Sequence, residues 1–187
     1  MEAFLVSAGV IALAEIGDKT QFLALLLAAR FRAPVPVLGG ILSATLVNHF
    51  AAGAVGTLLA ASINPALMRY LLAASFLATA AWMLIPDRPA ATGARPARFG
   101  AYGTSLISFF LVEIGDKTQI ATVALAARYH ALIAVVAGTT LGMMVADVPV
   151  VLLGEAAAKR LPLKWVHRVA AGAFIVLALL ALFGVRS

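Results

Sequence analysis

The amino-acid sequence predicts an all-α membrane protein with six transmembrane helices, arranged as two inverted repeats of three helices each. Three observations lead to this fold class: the apolar composition, the number of apolar segments, and a polar motif that occurs twice. Of the 187 residues, 63% are hydrophobic and 12% are charged, and the mean hydropathy is +1.03. Soluble domains carry about 25% charged residues, and one soluble core of this size could not enclose so much apolar surface. We therefore expect most of the protein surface to contact lipid.

Six apolar segments are each long enough to cross the hydrocarbon core of a bilayer, which takes about 20 residues. Prolines and basic residues separate them, and the most polar separator, residues 87–100, is rich in Pro and Arg. We expect this stretch to be a cytoplasmic linker between two halves, residues 1–86 and 101–187. The predicted spans are residues 3–28, 35–60, 66–86, 101–126, 131–155 and 165–184.

The basic residues between the spans predict the orientation of the chain. The loops that follow the first, third and fifth spans contain most of them, whereas the opposite side has only Arg69, Arg128 and Arg186. The positive-inside rule places the richer set of loops in the cytoplasm, so both termini are predicted to be extracytoplasmic. The formal net charge of +6 does not indicate nucleic-acid binding, because the basic residues form no continuous run.

The strongest signal in the sequence is an internal repeat. Residues 15–21 read Glu-Ile-Gly-Asp-Lys-Thr-Gln, and residues 113–119 read the same. The alignment continues without a gap, since Leu-Ala-Ala-Arg at 27–30 recurs at 125–128. Each copy holds three predicted spans, and an odd number forces the second copy to enter the membrane from the opposite side. Secondary transporters with such inverted repeats hold their substrate near the bilayer midplane, at the repeat interface.

Each copy of the motif places ionisable side chains inside a predicted span, where a charge costs about 3 kcal/mol. Glu15 and Asp18 are spaced i, i+3, so both are expected on one face of a continuous helix, and Lys19 shares that face with Glu15. The second copy repeats the arrangement with Glu113, Asp116 and Lys117. Face to face, the copies bring together four carboxylates and two ammonium groups, whose formal charges sum to −2. One divalent cation neutralises that sum.

The remaining side chains of the motif add neutral oxygen atoms, and oxygen ligands suit Ca²⁺, Mg²⁺ and Mn²⁺. They are the hydroxyls of Thr20 and Thr118 and the amide carbonyls of Gln21 and Gln119. The chain has no Cys, which excludes a thiolate site for Cu(I) or structural zinc. Gly17 and Gly115 precede the aspartates, and they either allow close helix packing or break the helix and release backbone carbonyls as ligands.

The second helix of each copy supplies further candidates for the predicted metal site. Asn48 and Asp147 are predicted ligands, and the alternative for each is a hydrogen bond that joins membrane helices. His49 is the repeat equivalent of Asp147. We expect His49 to have a structural or gating role in the ion pathway rather than to bind the cation.

The same carboxylates predict how transport is coupled to protons. Carboxylates that share a buried site cannot all stay ionised after the cation leaves, so protons are expected to replace it. Competition between the cation and protons for one set of side chains is sufficient for cation/proton exchange. Rocking of the two repeats would then expose the site to each side of the membrane in turn.

The paired Glu-x-Gly-Asp-Lys-Thr motifs resemble those of a family of small membrane cation/proton exchangers, which includes the eukaryotic Golgi manganese/calcium transporter and bacterial manganese exporters. The resemblance covers the whole chain, as two three-helix halves joined by a linker. It implies export of Mn²⁺, Ca²⁺ or both from the cytoplasm in exchange for protons, with no permanent cofactor and no enzymatic activity. The cation ligands that it implies are Glu15, Asp18, Glu113 and Asp116, with Lys19, Thr20, Lys117 and Thr118 completing the motifs.

The short central linker is typical of compact bacterial members of that family, so we expect the chain in the bacterial inner membrane. Its expected partners are a divalent cation, protons and the lipid bilayer, and a homo-oligomer is compatible with the sequence. Three other functions stay open at this point: export of a cationic organic solute such as a basic amino acid, intramembrane hydrolysis by an aspartate pair, and a scaffold without transport. Each motif aspartate is accompanied by Lys and Glu, which argues against hydrolysis, and a scaffold does not explain carboxylates duplicated at matching depth.

Overall fold

The computed structural model describes residues 1–85, 99–153 and 163–183, and the regular structure in these ranges is entirely helical, with no strand. The all-α prediction is therefore confirmed. Residues 87–98 of the predicted linker and the end of the predicted span 131–155 lie outside the described residues. Within the described ranges the helices are α1 (Glu2–Glu15), α2 (Lys19–Phe31), α3 (Pro34–Ser62), α4 (Pro65–Met83), α5 (Gly100–Glu113), α6 (Lys117–Tyr129), α7 (Leu132–Leu153) and α8 (Leu163–Leu182).

Four helices in the described part of the chain are long and apolar enough to cross a membrane, namely α3, α4, α7 and α8. Pro34 and Pro65 begin α3 and α4, where the missing N–H has no helical acceptor in any case. The side chain of Asn64 also caps α4 by accepting a backbone hydrogen bond. Large apolar side chains such as Leu58 and Ile133 are exposed on the outer surface, as expected for contact with lipid.

Two of the predicted spans, 3–28 and 101–126, are each divided into two helices. α1 and α2 contain 14 and 13 residues, and α5 and α6 also contain 14 and 13. Gly17 and Gly115 have φ angles of +85° and +77°, a left-handed conformation that side chains rarely adopt. Of the two roles that the sequence leaves open for these glycines, the structure therefore shows the helix break.

The break changes where the charged side chains of each motif point. α1 ends at Glu15, Asp18 is the N-cap residue of α2, and Lys19 is the first residue of α2. These residues do not share one face of a continuous helix, so the i, i+3 argument from the sequence is wrong. A tight turn connects the helices, with the Asp18 N–H donating to the Glu15 carbonyl oxygen at 3.0 Å. The equivalent bond in the second copy, from Asp116 to Glu113, is 3.1 Å long.

The helices of one sequence repeat pack against those of the other. α1 contacts α7, and α5, which is the repeat equivalent of α1, contacts α3. At both crossings a glycine lets the backbones meet: a Cβ on Gly138 would lie 2.4 Å from the Phe4 carbonyl oxygen. A Cβ on Gly40 would lie 2.5 Å from the Tyr102 carbonyl oxygen. Gly40 and Gly138 are repeat equivalents, as are Phe4 and Tyr102, and small residues at such crossings allow membrane helices to pack closely.

The last helices of the two repeats, α4 and α8, pack on each other. The ring centroids of Phe76 and Phe174, which are repeat equivalents, lie 6.3 Å apart. α4 also contacts α6, and α8 also contacts α1. The larger of two buried apolar clusters joins these four helices and the start of α7, whereas the smaller cluster joins α2, α3, α5 and α7. The four buried carboxylates of the motifs lie where α1 meets α2 and where α5 meets α6, whereas Asp147 and His49 are buried on α7 and α3.

Candidate cation site

The two helix breaks place four carboxyl groups in the protein interior. Glu15, Asp18, Glu113 and Asp116 are each at most 2% exposed, although carboxylates are almost never fully buried without a partner. Ligand oxygens of Glu15, Glu113 and Asp116 lie within 4.8 Å of one another. Oxygens on opposite sides of a cation bound at about 2.4 Å lie up to about 4.8 Å apart. One cation can therefore contact this carboxylate trio, to which both sequence repeats contribute.

Each glutamate is held by the threonine of its own motif. Thr20 Oγ1 donates to Glu15 Oε2 at 2.6 Å, and Thr118 Oγ1 donates to Glu113 Oε2 at 3.3 Å. The second oxygen of each glutamate, Oε1, is buried and has no hydrogen-bond partner in the described part of the chain. Because a buried carboxylate oxygen without a donor is costly, these two atoms are suited to bind a cation or a proton.

The glutamines of the motifs satisfy the backbone at the helix breaks. Oε1 of Gln21 accepts from the Gly17 N–H at 3.0 Å, and Oε1 of Gln119 accepts from the Gly115 N–H at 2.7 Å. Gln21 also donates from Nε2 to the Ala146 carbonyl oxygen of α7 at 3.0 Å. The glutamine oxygens thus have a structural role at the break, and their ligation of a cation stays a prediction.

The lysines of the two motifs pair with the aspartates of the opposite repeat. Lys117 Nζ lies 2.6 Å from Asp18 Oδ1, and Lys19 Nζ lies 2.8 Å from Asp116 Oδ1. The sequence instead suggests that Lys19 shares a helix face with Glu15 of its own motif. The two pairs are equivalent in sequence but not in environment, because the Lys117 side chain is 1% exposed and the Lys19 side chain is 23% exposed.

The polar residues predicted on α3 and α7 are buried in different surroundings. Asp147 and His49 are both 0% exposed. Within the ranges that the structure covers, neither the Asp147 oxygens nor the His49 ring nitrogens have a hydrogen-bond partner. Gln21 of the first motif donates to the carbonyl oxygen of Ala146, the residue before Asp147, so this part of α7 packs against the first motif. Asn48 Nδ2 donates to the Phe110 carbonyl oxygen of α5 at 3.2 Å, and this helix-joining bond is the alternative to ligation.

α8 makes a contact at the site that the motifs do not predict. His167 Nε2 lies 3.0 Å from the Ile16 carbonyl oxygen of the first break. A Cβ on Gly17 would lie 2.7 Å from the Leu163 side chain and 3.2 Å from the His167 side chain. A Cβ on Gly115 would meet no described atom within 4 Å, and Gly115 is exposed. α8 therefore covers the glycine of the first break, whereas nothing in the described part of the chain covers the glycine of the second break.

Comparison with known proteins identifies the family. The model of the family described as "Divalent cation/proton antiporter GDT1" matches residues 3–91 and 101–187. The chain is 47% identical over 184 residues to a Vibrio cholerae protein named "Putative manganese exporter", covering 98% of this chain and 92% of that protein. It is 30% identical over 200 residues to a GDT1-like protein of Synechocystis, covering 97% of each. No solved structure matches the chain significantly.

The chain belongs to the GDT1 family of divalent cation/proton antiporters. The resemblance suggested by the paired motifs is thereby confirmed, and the protein is a transporter rather than an enzyme. The four long apolar helices of the described ranges agree with a protein embedded in a membrane. Family membership excludes the hydrolase and the scaffold among the alternatives that the sequence leaves open.

Proposed function

We propose that this antiporter exports Mn²⁺ from the cytoplasm in exchange for protons, and that Glu15, Glu113 and Asp116 bind the cation. The observation that carries the proposal is the meeting of these buried carboxylates, whose ligand oxygens lie within 4.8 Å of one another. The name of the Vibrio cholerae relative favours Mn²⁺ over Ca²⁺ and export over import. Both cations accept oxygen ligands of this kind, so Ca²⁺ is the comparison that the experiment must include.

We also propose that the site lies between two inverted repeats, residues 1–86 and 101–187, joined by the cytoplasmic linker 87–100. α1 with α2, and α5 with α6, would each cross the membrane as one broken span, which gives six spans together with the four long helices. The equivalent crossings at Gly40 and Gly138 and the reciprocal lysine–aspartate pairs support this two-fold relation. The distribution of basic residues supports extracytoplasmic termini.

The lengths of the broken helices support a site near the middle of the membrane. Helices of 14 and 13 residues are each about 20 Å long at 1.5 Å per residue, so the break falls about halfway along the span. Many transporters use discontinuous helices to build a substrate site at the midplane. Carboxylates at that depth are stable when they hold a cation or a proton, and not when they are bare.

Proton coupling follows from the sharing of one set of carboxylates. The three acidic groups crowd within 4.8 Å and repel one another when ionised and empty, so protons replace the cation as it leaves. Rocking of the repeats would open the site to one side of the membrane and then to the other. Asp147 is buried, and its oxygens have no hydrogen-bond partner in the described part of the chain, so we propose it as a further ligand, either directly or through water. Asp18 stays with Lys117 at 2.6 Å.

The proposal is tested by ion flux in proteoliposomes with an imposed pH gradient, following the metal and the lumenal pH together. We expect Mn²⁺ movement with opposite proton movement in the wild-type protein. Glu15→Gln and Glu113→Gln should each lower the flux at least about 100-fold, since even outer partners of metal ligands contribute about 10- to 100-fold. Glu2→Gln changes an exposed carboxylate at the start of α1 and should transport normally.

Two further arms of the same experiment decide between substrates. A Ca²⁺ arm under identical gradients measures the preference between the two cations. An arm with labelled arginine tests the cationic-solute alternative, which predicts arginine flux that Mn²⁺ does not inhibit. Equal Mn²⁺ flux in the wild-type protein and in both glutamate variants would contradict the carboxylate site.

A further inference from the structure

We propose that Lys19 is a built-in competitor of the transported cation: its ammonium group occupies Asp116 while the site is empty and leaves when the cation binds. The inference rests on the proposed function, because it assumes that the carboxylate trio binds the cation. It goes beyond that function by giving the two motif lysines different roles, although their motifs are identical in sequence.

Asp116 takes part in two arrangements that compete with each other. Its Oδ1 lies 2.8 Å from Lys19 Nζ, and a ligand oxygen of the same side chain lies within 4.8 Å of those of Glu15 and Glu113. Two cations that contact one carboxylate repel each other strongly in an interior of low dielectric constant. A divalent cation bound to Asp116 therefore weakens the ion pair with Lys19, and the ion pair weakens the binding of the cation.

Asp18 differs from Asp116 in this respect. It pairs with Lys117 at 2.6 Å, but the carboxylates that meet closely enough to hold a cation, within the described residues, are those of Glu15, Glu113 and Asp116. Removal of the ammonium group from Asp18 would therefore release no ligand of the proposed site. The competition is confined to Lys19.

The surroundings of the two lysines support the same division. The Lys19 side chain is 23% exposed, whereas the Lys117 side chain is 1% exposed. A lysine has a long flexible stem, so its ammonium group can move to water while its carbons stay among apolar groups. Lys19 can make that movement, whereas Lys117 is enclosed in the interior with Asp18.

The movement of Lys19 would assist each transport cycle. As the cation leaves, the returning ammonium group partners Asp116, so that this buried aspartate is not left bare in the empty transporter. When its three carboxylates are ionised, the trio has a formal charge of −3. The ammonium group of Lys19 brings the formal charge of the empty site to −2. Fewer protons are then needed to neutralise the empty site.

The test is direct Mn²⁺ binding to purified protein in detergent at fixed pH. Lys19→Gln should bind Mn²⁺ about tenfold more tightly, because one like charge near the cation is removed. Lys19→Arg keeps the charge and should bind like the wild-type protein. Lys117→Gln, the matched control, should change the affinity less than about threefold. In proteoliposomes, Lys19→Gln should retain Mn²⁺/Mn²⁺ exchange and slow net Mn²⁺ export several-fold.

The outcomes separate this inference from the proposed function. Unchanged or weaker Mn²⁺ binding by Lys19→Gln, together with loss of binding in Glu113→Gln, would overturn the competitor role and leave the site intact. Binding that Glu113→Gln does not affect would contradict the site itself. Equal tightening in both lysine variants would indicate a general charge effect and would also overturn the inference. If Lys117→Gln does not fold, Arg69→Gln serves as the charge control, because Arg69 lies outside the site.

Discussion

The two Glu-x-Gly-Asp-Lys-Thr segments have the same sequence and the same local structure, but different surroundings. In both, a glycine with positive φ ends a helix, the glutamine accepts from that glycine, and the threonine donates to the glutamate. α8 contacts the glycine of the first break, whereas the glycine of the second break is exposed among the described residues. The motif therefore determines how each break is built, and helices outside the motif determine what can reach it.

Two copies of the same motif therefore need not have the same role in cation binding. Asp116 joins the two glutamates within 4.8 Å, whereas Asp18 is held by a lysine that is almost entirely buried. The second helices differ as well, since Asp147 in one repeat is equivalent to His49 in the other. We infer that the second motif contributes more to cation binding and the first more to stability.

The largest effects on transport and stability are expected when one of the two motif aspartates is replaced by asparagine. Asp116→Asn removes a proposed ligand, so Mn²⁺ transport should fall at least about 100-fold with little loss of thermal stability. Asp18→Asn breaks a buried ion pair, so the free energy of unfolding should fall by about 3 kcal/mol or more, while each folded molecule still binds Mn²⁺. Flux and thermal unfolding of both variants measure the contrast. Equal loss of transport at equal stability would show that the two aspartates act alike.

A smaller effect on binding is expected at the positions where the second helices differ. Asp147→Asn should weaken Mn²⁺ binding about tenfold, because it removes a carboxylate proposed as a further ligand of the cation. His49→Asn should change the affinity less than about twofold, since His49 is not among the described acidic groups that meet closely enough to hold a cation. Mn²⁺ titration of the purified variants checks this. A tenfold loss in His49→Asn would assign both positions to the site.

The glycines of the breaks offer a comparison in stability. Gly17→Ala and Gly115→Ala both force a side chain into a left-handed conformation, at about 1–2 kcal/mol each. Gly17→Ala should lose about 1 kcal/mol more, because its Cβ would lie 2.7 Å from the Leu163 side chain. Thermal unfolding of the two variants in the same detergent measures the difference. Equal melting temperatures would mean that the Leu163 side chain on α8 does not clash with a side chain at position 17.

The smallest effect is expected at the contact between α8 and the first break. His167→Leu removes a hydrogen bond of 3.0 Å to the Ile16 carbonyl oxygen, so the free energy of unfolding should fall by about 1 kcal/mol with transport retained. Arg69 is the repeat equivalent on α4, and its guanidinium stacks on the adjacent Tyr70 ring at 5.0 Å. Arg69→Leu should stay within about 0.5 kcal/mol of the wild-type protein. Loss of transport in His167→Leu at unchanged stability would give this contact a part in transport.

The sequence predicts the helical class, the repeat and the chemistry of the site, because composition and matched residues are sufficient for these. Glu15, Glu113 and Asp116 are predicted from their position in apolar spans, and the structure brings them together. The helix breaks are one of two alternatives at the sequence level, since a glycine is compatible with close packing and with a break. Only the φ angles decide between them.

The partners across the site cannot be predicted from the sequence. Because the two motifs are identical, nothing in them distinguishes pairing of Lys19 with Asp116 from pairing within one motif. The distinction depends on how the repeats pack and on the approach of α8. His167 carries only a weak signal, because it lies beside Arg168 at the start of an apolar span and its repeat equivalent, Arg69, is a different residue type.

The crossings at Gly40 and Gly138 have a consequence for biosynthesis. α1 finds its partner in α7, and α5 finds its partner in α3, so helices made early are matched with helices made late. Glu15 and Asp18 thus enter the membrane before Lys117 has been synthesised. The nascent first half needs a temporary companion until the rest of the chain arrives, either the insertion machinery or another copy of the same half.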